Sequence, residues 1–207
     1  MNCFIRPLCL LLATVLLGGC SVLPEPRSQY IYRLPPSTVG VSQGQGIDVA
    51  LRIARPSAGG LLDGARIVVV PESNQFSVYQ DARWYSQAPL MWRDHLLDSF
   101  RNDGRIRRLS SDGDGVQPDF ELGGTLRAFQ SEYHDGVPHV VISIDARLVD
   151  NGNKRIISGS RFTVTEAVRG TQVPEVVAAF GKASDTLAEE IIDWTCRQLQ
   201  KNRQVSR

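Results

Sequence analysis

Beyond its first twenty-eight residues the chain alternates between two hydrophobic rhythms, one of period two and one near 3.6. Gln29 to Leu34 alternates and is rich in β-formers, which predicts a first strand that Pro35-Pro36 stops. Residues 37–46 are rich in Ser, Gly and Gln and predict a loop. Ile47, Val49, Leu51 and Ile53 share one face of a second strand ending at Ala54, and 56–64 is a turn region. Arg66 to Val70 is so apolar that both sides of this third strand should be covered. Asn74 to Tyr79 predicts a short edge strand.

Pro89 to Arg101 changes period. Trp92, Leu96 and Phe100 recur every four residues beside Leu90 and Leu97, with Pro89 suited to a first turn and Gly104 to a stop. A brief strand at 106–109 and a loop at 112–115 follow. Long strands are then expected over 119–132, 139–149 and 155–166. His134-Asp135-Gly136 and Asp150-Asn151-Gly152-Asn153 should turn between them, because Asp-Gly and Asn-Gly accept the positive φ of tight hairpins. Pro174 opens a last helix reaching about Lys201, with Val176, Phe180, Ala183, Leu187, Ile191 and Trp194 as its stripe. Such a helix is about 40 Å long and must lie along something flat. The expected fold class is α+β: a mostly antiparallel sheet with two helices packed on one face.

The first nineteen residues follow a different rule. Arg6 supplies a basic start, and Leu8 to Leu17 is apolar except for Thr14. That stretch suits a signal-peptide core and is too short for about 30 Å of hydrocarbon. It ends in Leu17-Gly18-Gly19-Cys20, the lipobox pattern. Small residues let the chain lie extended in a membrane peptidase, and the cysteine thiol takes the diacylglycerol. The expectation is a signal peptide over 1–19, cleavage before Cys20, a lipidated tether over 20–28 and one domain over 29–203. Ser21, in place of an aspartate, favours anchoring in the outer membrane, facing the periplasm. Acyl chains contribute about 0.8 kcal/mol per buried methylene, so several make the anchor effectively permanent.

Losing the signal removes one basic side chain and leaves 22 basic against 22 acidic residues. This neutral balance argues against nucleic acid as a partner and against a polybasic patch on lipid. Of the four cysteines, Cys196 alone stays free after cleavage and acylation, so the fold must rest on packing rather than on a disulfide. A small buried helix residue is the expected role of that thiol.

The chain carries no G-x-S-x-G, H-E-x-x-H, phosphate-loop or C-x-x-C motif. His134 and His139 flank a turn with Asp135 near, which would make at most a weak metal site, and exposed turn histidines are the plainer reading. Asp112 and Asp114 begin like a calcium loop, but the pattern fails after Asp114. No catalytic residues, metal ligands or cofactor are assigned. The sequence reads as a binding or assembly module.

Asp81-Ala82-Arg83-Trp84, followed by Pro89 and a helix, resembles the R-W-x-x-x-x-P element of the ABC-type transport auxiliary lipoproteins, the PqiC-like family. Tyr30 to Leu34, Leu62 to Ile67, Asp119 to Leu122, Phe129 to Tyr133 and Val176 to Phe180 resemble further landmarks of that family, in the same order. The resemblance implies a non-catalytic, outer-membrane accessory of a transport system. Its partners would be a mammalian-cell-entry (MCE) domain protein and an ABC permease and ATPase, moving lipids or other hydrophobic molecules between membranes. A homo-oligomer is compatible with that role. Trp84 and Tyr85 are the candidate partner contacts, since aromatics serve as interface anchors, although Trp84 would equally fill the core. Competing readings are a lipid carrier with its own cavity, an envelope enzyme, and an assembly lipoprotein of another envelope complex.

Overall fold

The computed structural model describes residues 29–72 and 74–205. The signal segment, Leu17, Gly18, Gly19, Cys20 and the tether over 20–28 lie outside them.

The fold is organised around three long strands. These are β6 (Phe120–His134), β7 (Val137–Asp150) and β8 (Arg155–Ala167), paired antiparallel as successive hairpins. Along β7, Val140, Ile142, Ile144, Ala146 and Leu148 are buried on one face. The first hairpin turns through Asp135 (φ 52°) and Gly136 (φ 78°), as its sequence predicts. The second differs. Its positive φ lies at Lys154 (φ 59°), not at Asn151-Gly152. The Asp150 carboxylate accepts the Gly152 amide at 2.8 Å and so supports a right-handed turn that moves the left-handed residue to its end.

The other edge of β6 is shared by two short parallel strands in succession. β2 (Ala50–Ile53) pairs with Phe120 to Leu122, and β3 (Arg66–Glu72) pairs with Gln130 to Glu132. Between them Ser57 bridges to Thr125, and a 3-10 turn at Gly60–Asp63 takes up the slack. Gly124 is required here: at φ 158° an added β-carbon would lie 2.0 Å from the Asp145 carbonyl oxygen. β3 is covered on both sides, with Ile67, Val68 and Val69 all buried.

β4 (Gln75–Trp84) is ten residues long, longer than the edge strand expected over 74–79. It runs antiparallel to β3, and at its end, Ala82 to Trp84, β1 (Tyr30–Tyr32) joins it in parallel and takes the edge of the sheet. β5 (Arg108–Ser111) pairs in parallel with β2. The sheet is therefore mixed, with eight strands, and antiparallel along its longest ladders.

Two helices cover one face. α1 (Ala88–Asp103) has Pro89 in its first turn and ends at Gly104 in the left-handed region (φ 78°), whose amide reaches the Phe100 carbonyl. α2 spans Val173–Val205, 33 residues and about 50 Å. The core joins helices to sheet through Trp84, Phe129 and Phe180. Trp84 meets Phe180 edge-on at 5.1 Å, and Phe129 lies 4.7 Å from Phe180. Cys196 is buried on α2, as expected.

The Ser- and Gly-rich stretch after β1 is irregular but firmly packed, crossing both helices as a strap. Its own Leu34, Val39 and Ile47 are buried. The Ser42 amide donates to the Asp103 carbonyl and the Ile47 amide to that of Arg105, at 3.0 and 2.7 Å.

Candidate functional site

Where β1 and β4 end side by side, their side chains part company. Trp84, the last residue of β4, is 0% exposed and faces the helices. Tyr85 follows; its amide donates to the Tyr32 carbonyl at 2.7 Å, and its side chain is 56% exposed. A strand alternates faces, so adjacent aromatics at a strand end must diverge. Trp84 therefore belongs to the core, and its indole has no surface to offer a partner. Tyr85 does.

Tyr85 lines a cleft of about 580 Å³ together with Ile31, Arg33, Leu34, Met91 and His95. Ile31 is 58% exposed and Tyr30, beside it, 71%. The carboxylates on the cleft rim are already engaged: Asp94 with Arg93 at 2.6 Å and Asp98 with Arg101 at 2.8 Å. Among the described residues no ion pair holds Arg33.

The floor of the cleft is a polar tie between the two helices and the strap. His95 of α1 is buried, and its Nε2 stands 3.0 Å from Asp185 Oδ1 of α2, off the alignment of a hydrogen bond. Asp185 accepts the Thr38 hydroxyl at 2.6 Å and the Thr38 amide at 3.2 Å. Ser99 donates to Ser37 at 2.8 Å. Burial lowers the pKa of His95 and outweighs the pull of the nearby carboxylate, so the imidazole is neutral at pH 7.

A second recess of about 640 Å³ lies under the far end of the strap, lined by Arg101, Arg105, Arg107 and Arg108. Most of that charge is neutralised in place. Arg105 pairs with Asp103 and Asp193 at 2.8 and 2.6 Å, and Arg108 with Asp48 at 3.1 Å.

The remaining sequence candidates lie away from the cleft. His134 and His139 do meet, stacked at 4.9 Å, with Glu132 3.2 Å from His134. Among the described residues no group of three or more His, Cys, Asp or Glu side chains is placed to hold a metal ion. Asp112 accepts the Arg55 amide at 2.7 Å and ties its loop to the end of β2, while Asp114 accepts that of Ser111 at 2.6 Å and closes the local turn. Sequence reasoning missed Ile31, Arg33 and the His95–Asp185 pair. Ile31 carried a signal in its alternation between Tyr30 and Tyr32; Asp185 lies 90 positions from His95 and carried none.

The family model described as "ABC-type transport auxiliary lipoprotein component" matches residues 32–192, from β1 into α2. An uncharacterized protein of Bradyrhizobium diazoefficiens is 28% identical over 149 residues, which is 72% of this chain. The chain spans 40% of that curated relative's length. Among solved structures, protein XCC0632 from Xanthomonas campestris, of family model DUF330, is similar with a TM-score of 0.79 and 28% identity. That similarity covers 84% of this chain and 98% of the Xanthomonas chain. The structure of another uncharacterized protein shares the fold at a TM-score of 0.64 and 17% identity, covering 81% and 99% of the two chains.

Proposed function

Because the chain belongs to the ABC-type transport auxiliary lipoprotein component family, we propose that it is cut before Cys20, acylated there and held on the periplasmic face of the outer membrane. From that position it serves, without catalysis of its own, an ABC transport system whose substrate-binding partner carries MCE domains. The system moves lipids or other hydrophobic molecules between the two membranes. The observation that carries this reading is the family match from β1 into α2, with Leu17-Gly18-Gly19-Cys20 placed before the domain.

Physical considerations support the role. Among the described residues no helix is long and apolar enough to cross a membrane. A covalent lipid would supply the anchorage, and confinement to a membrane raises the effective concentration of the domain near a partner that spans the periplasm. The space left between helices and sheet at Trp92, Leu122, Ile144 and Ile191 is about 10 Å³. That is no more than the ~10–15 Å³ needed to hold a single water. An acyl chain has no room there, which weighs against a carrier that encloses its cargo between sheet and helices and favours a docking module.

The direct test is affinity capture of the full-length lipoprotein from detergent-solubilised envelopes. Recovery of an MCE-domain protein is the expected result; capture without one, under conditions that keep the transporter assembled, overturns the assignment. Cys20→Ala tests the anchor separately, because that form should leave the membrane fraction.

A further inference from the structure

The sheet register gathers positive charge that the neutral overall composition conceals. Ile31 of β1 stands opposite Arg83 of β4, and Arg83 stands opposite Arg66 of β3. Directly opposed residues share a face, so these three form one row across three strands. Arg33 and Tyr85 directly follow β1 and β4 and stand beside Ile31 in the cleft at this edge of the sheet. Among the described residues no ion pair involves Arg33, Arg66 or Arg83. Asp81 is the one carboxylate on this face of β4. Exposed aliphatic and tyrosine side chains interleaved with free arginines are the chemistry that suits a headgroup layer. Tyrosine places its ring at the boundary, arginine extends a cation to phosphate, and the aliphatic side chain enters the acyl region.

Chain length points to the same occupant. Cys20 stands ten positions before Tyr30, and ten residues span at most about 35 Å. Tyr30, where β1 begins, therefore stays within that distance of the acylated residue. β8, at the opposite edge of the sheet, is not so constrained.

We propose that Arg33, Arg66, Arg83, Ile31 and Tyr85 form a lipid-contacting face that seats the domain on the phospholipid surface holding its anchor, with the arginines on lipid phosphates and Ile31 and Tyr85 at the headgroup boundary. This rests on the assignment of Cys20 as the acylated residue. The seating fixes which edge of the sheet faces the bilayer and leaves the β8 edge turned toward the periplasm.

The test uses the full-length lipidated protein in vesicles of phosphatidylethanolamine and phosphatidylglycerol. A nitroxide is attached to Ile31→Cys, Tyr85→Cys or Ile156→Cys, the last on exposed β8. Native thiols do not interfere, since Cys20 is acylated and Cys196 is buried. On vesicles, labels at 31 and 85 should gain accessibility to oxygen and lose it to a water-soluble nickel chelate several-fold, while the label at 156 keeps its aqueous values. Adding Arg33→Glu and Arg83→Glu should return position 85 to aqueous values on protein that still floats with the vesicles. Labels at 31 and 85 as aqueous as at 156, on floating protein, overturn the seating and leave the anchor standing. Protein that does not float removes the Cys20 assignment and the seating with it.

Discussion

Pro35 of the strap lies so close to Gly181 of α2 that a β-carbon on the glycine would come within 2.7 Å of the proline ring. The strap can cross the long helix only because this position has no side chain. The neighbouring Thr38–Asp185 and Ser37–Ser99 hydrogen bonds then hold it in place.

Gly181→Ala sets two effects against each other. Helix propensity favours alanine by about 1 kcal/mol. Overpacking a tight contact costs about 1–3 kcal/mol, and a proline ring cannot swing aside. A net loss of up to about 2 kcal/mol is expected in urea denaturation. Pro35→Ala in the same chain should recover most of it, which a double-mutant cycle measures.

His95 makes stability depend on pH. Its pKa is lowered in the folded state because burial disfavours the charged ring. The unfolded chain then binds the proton more readily, so this contribution is complete above about pH 6.5 and is lost as pH falls through the lower folded value. Urea midpoints should therefore decline on acidification below about pH 6.5. His95→Gln should flatten that slope even where it lowers stability at every pH.

Trp84 and Tyr85 should separate cleanly. Trp84→Ala empties a site between Phe129 and Phe180 and should cost about 3–5 kcal/mol. Tyr85→Ala removes an exposed ring and should stay within about 0.5 kcal/mol of the parent. Thermal and urea unfolding of the two variants check the contrast.

Cys196 should be silent until the fold opens. Burial pushes its thiol up to about 11, although Arg105 pulls the other way. A thiol reagent at pH 8 should label the native protein slowly and the urea-unfolded protein at once. Rapid labelling of the native protein would show that α2 packs less tightly at this position than described.

Much of the fold was legible because the strongest signals are local. The apolar residues named along β7 and α2 recur at the period of their own element, and Gly104 and Asp135-Gly136 end or turn their elements by backbone conformation alone. β4 was underestimated because Gln75, Ser77, Gln80 and Asp81 leave little apolar pattern, and only backbone pairing with β1 and β3 holds it in the sheet. The candidate site was less legible still. Arg66 and Arg83 carry no signal at their sequence positions and stand opposite one another, beside Ile31, only through strand register.

The sequence by itself determined the two rhythms, the hairpin order and the places of the two helices, because periodicity and turn chemistry are properties of neighbouring residues. Tertiary structure decided that Trp84 turns inward and Tyr85 outward, that a polar strand is held in the sheet, and that a Ser-rich strap is clasped by Asp185. Those outcomes depend on which distant segments supply hydrogen bonds and exclude water, and nothing within a local window of the chain encodes that.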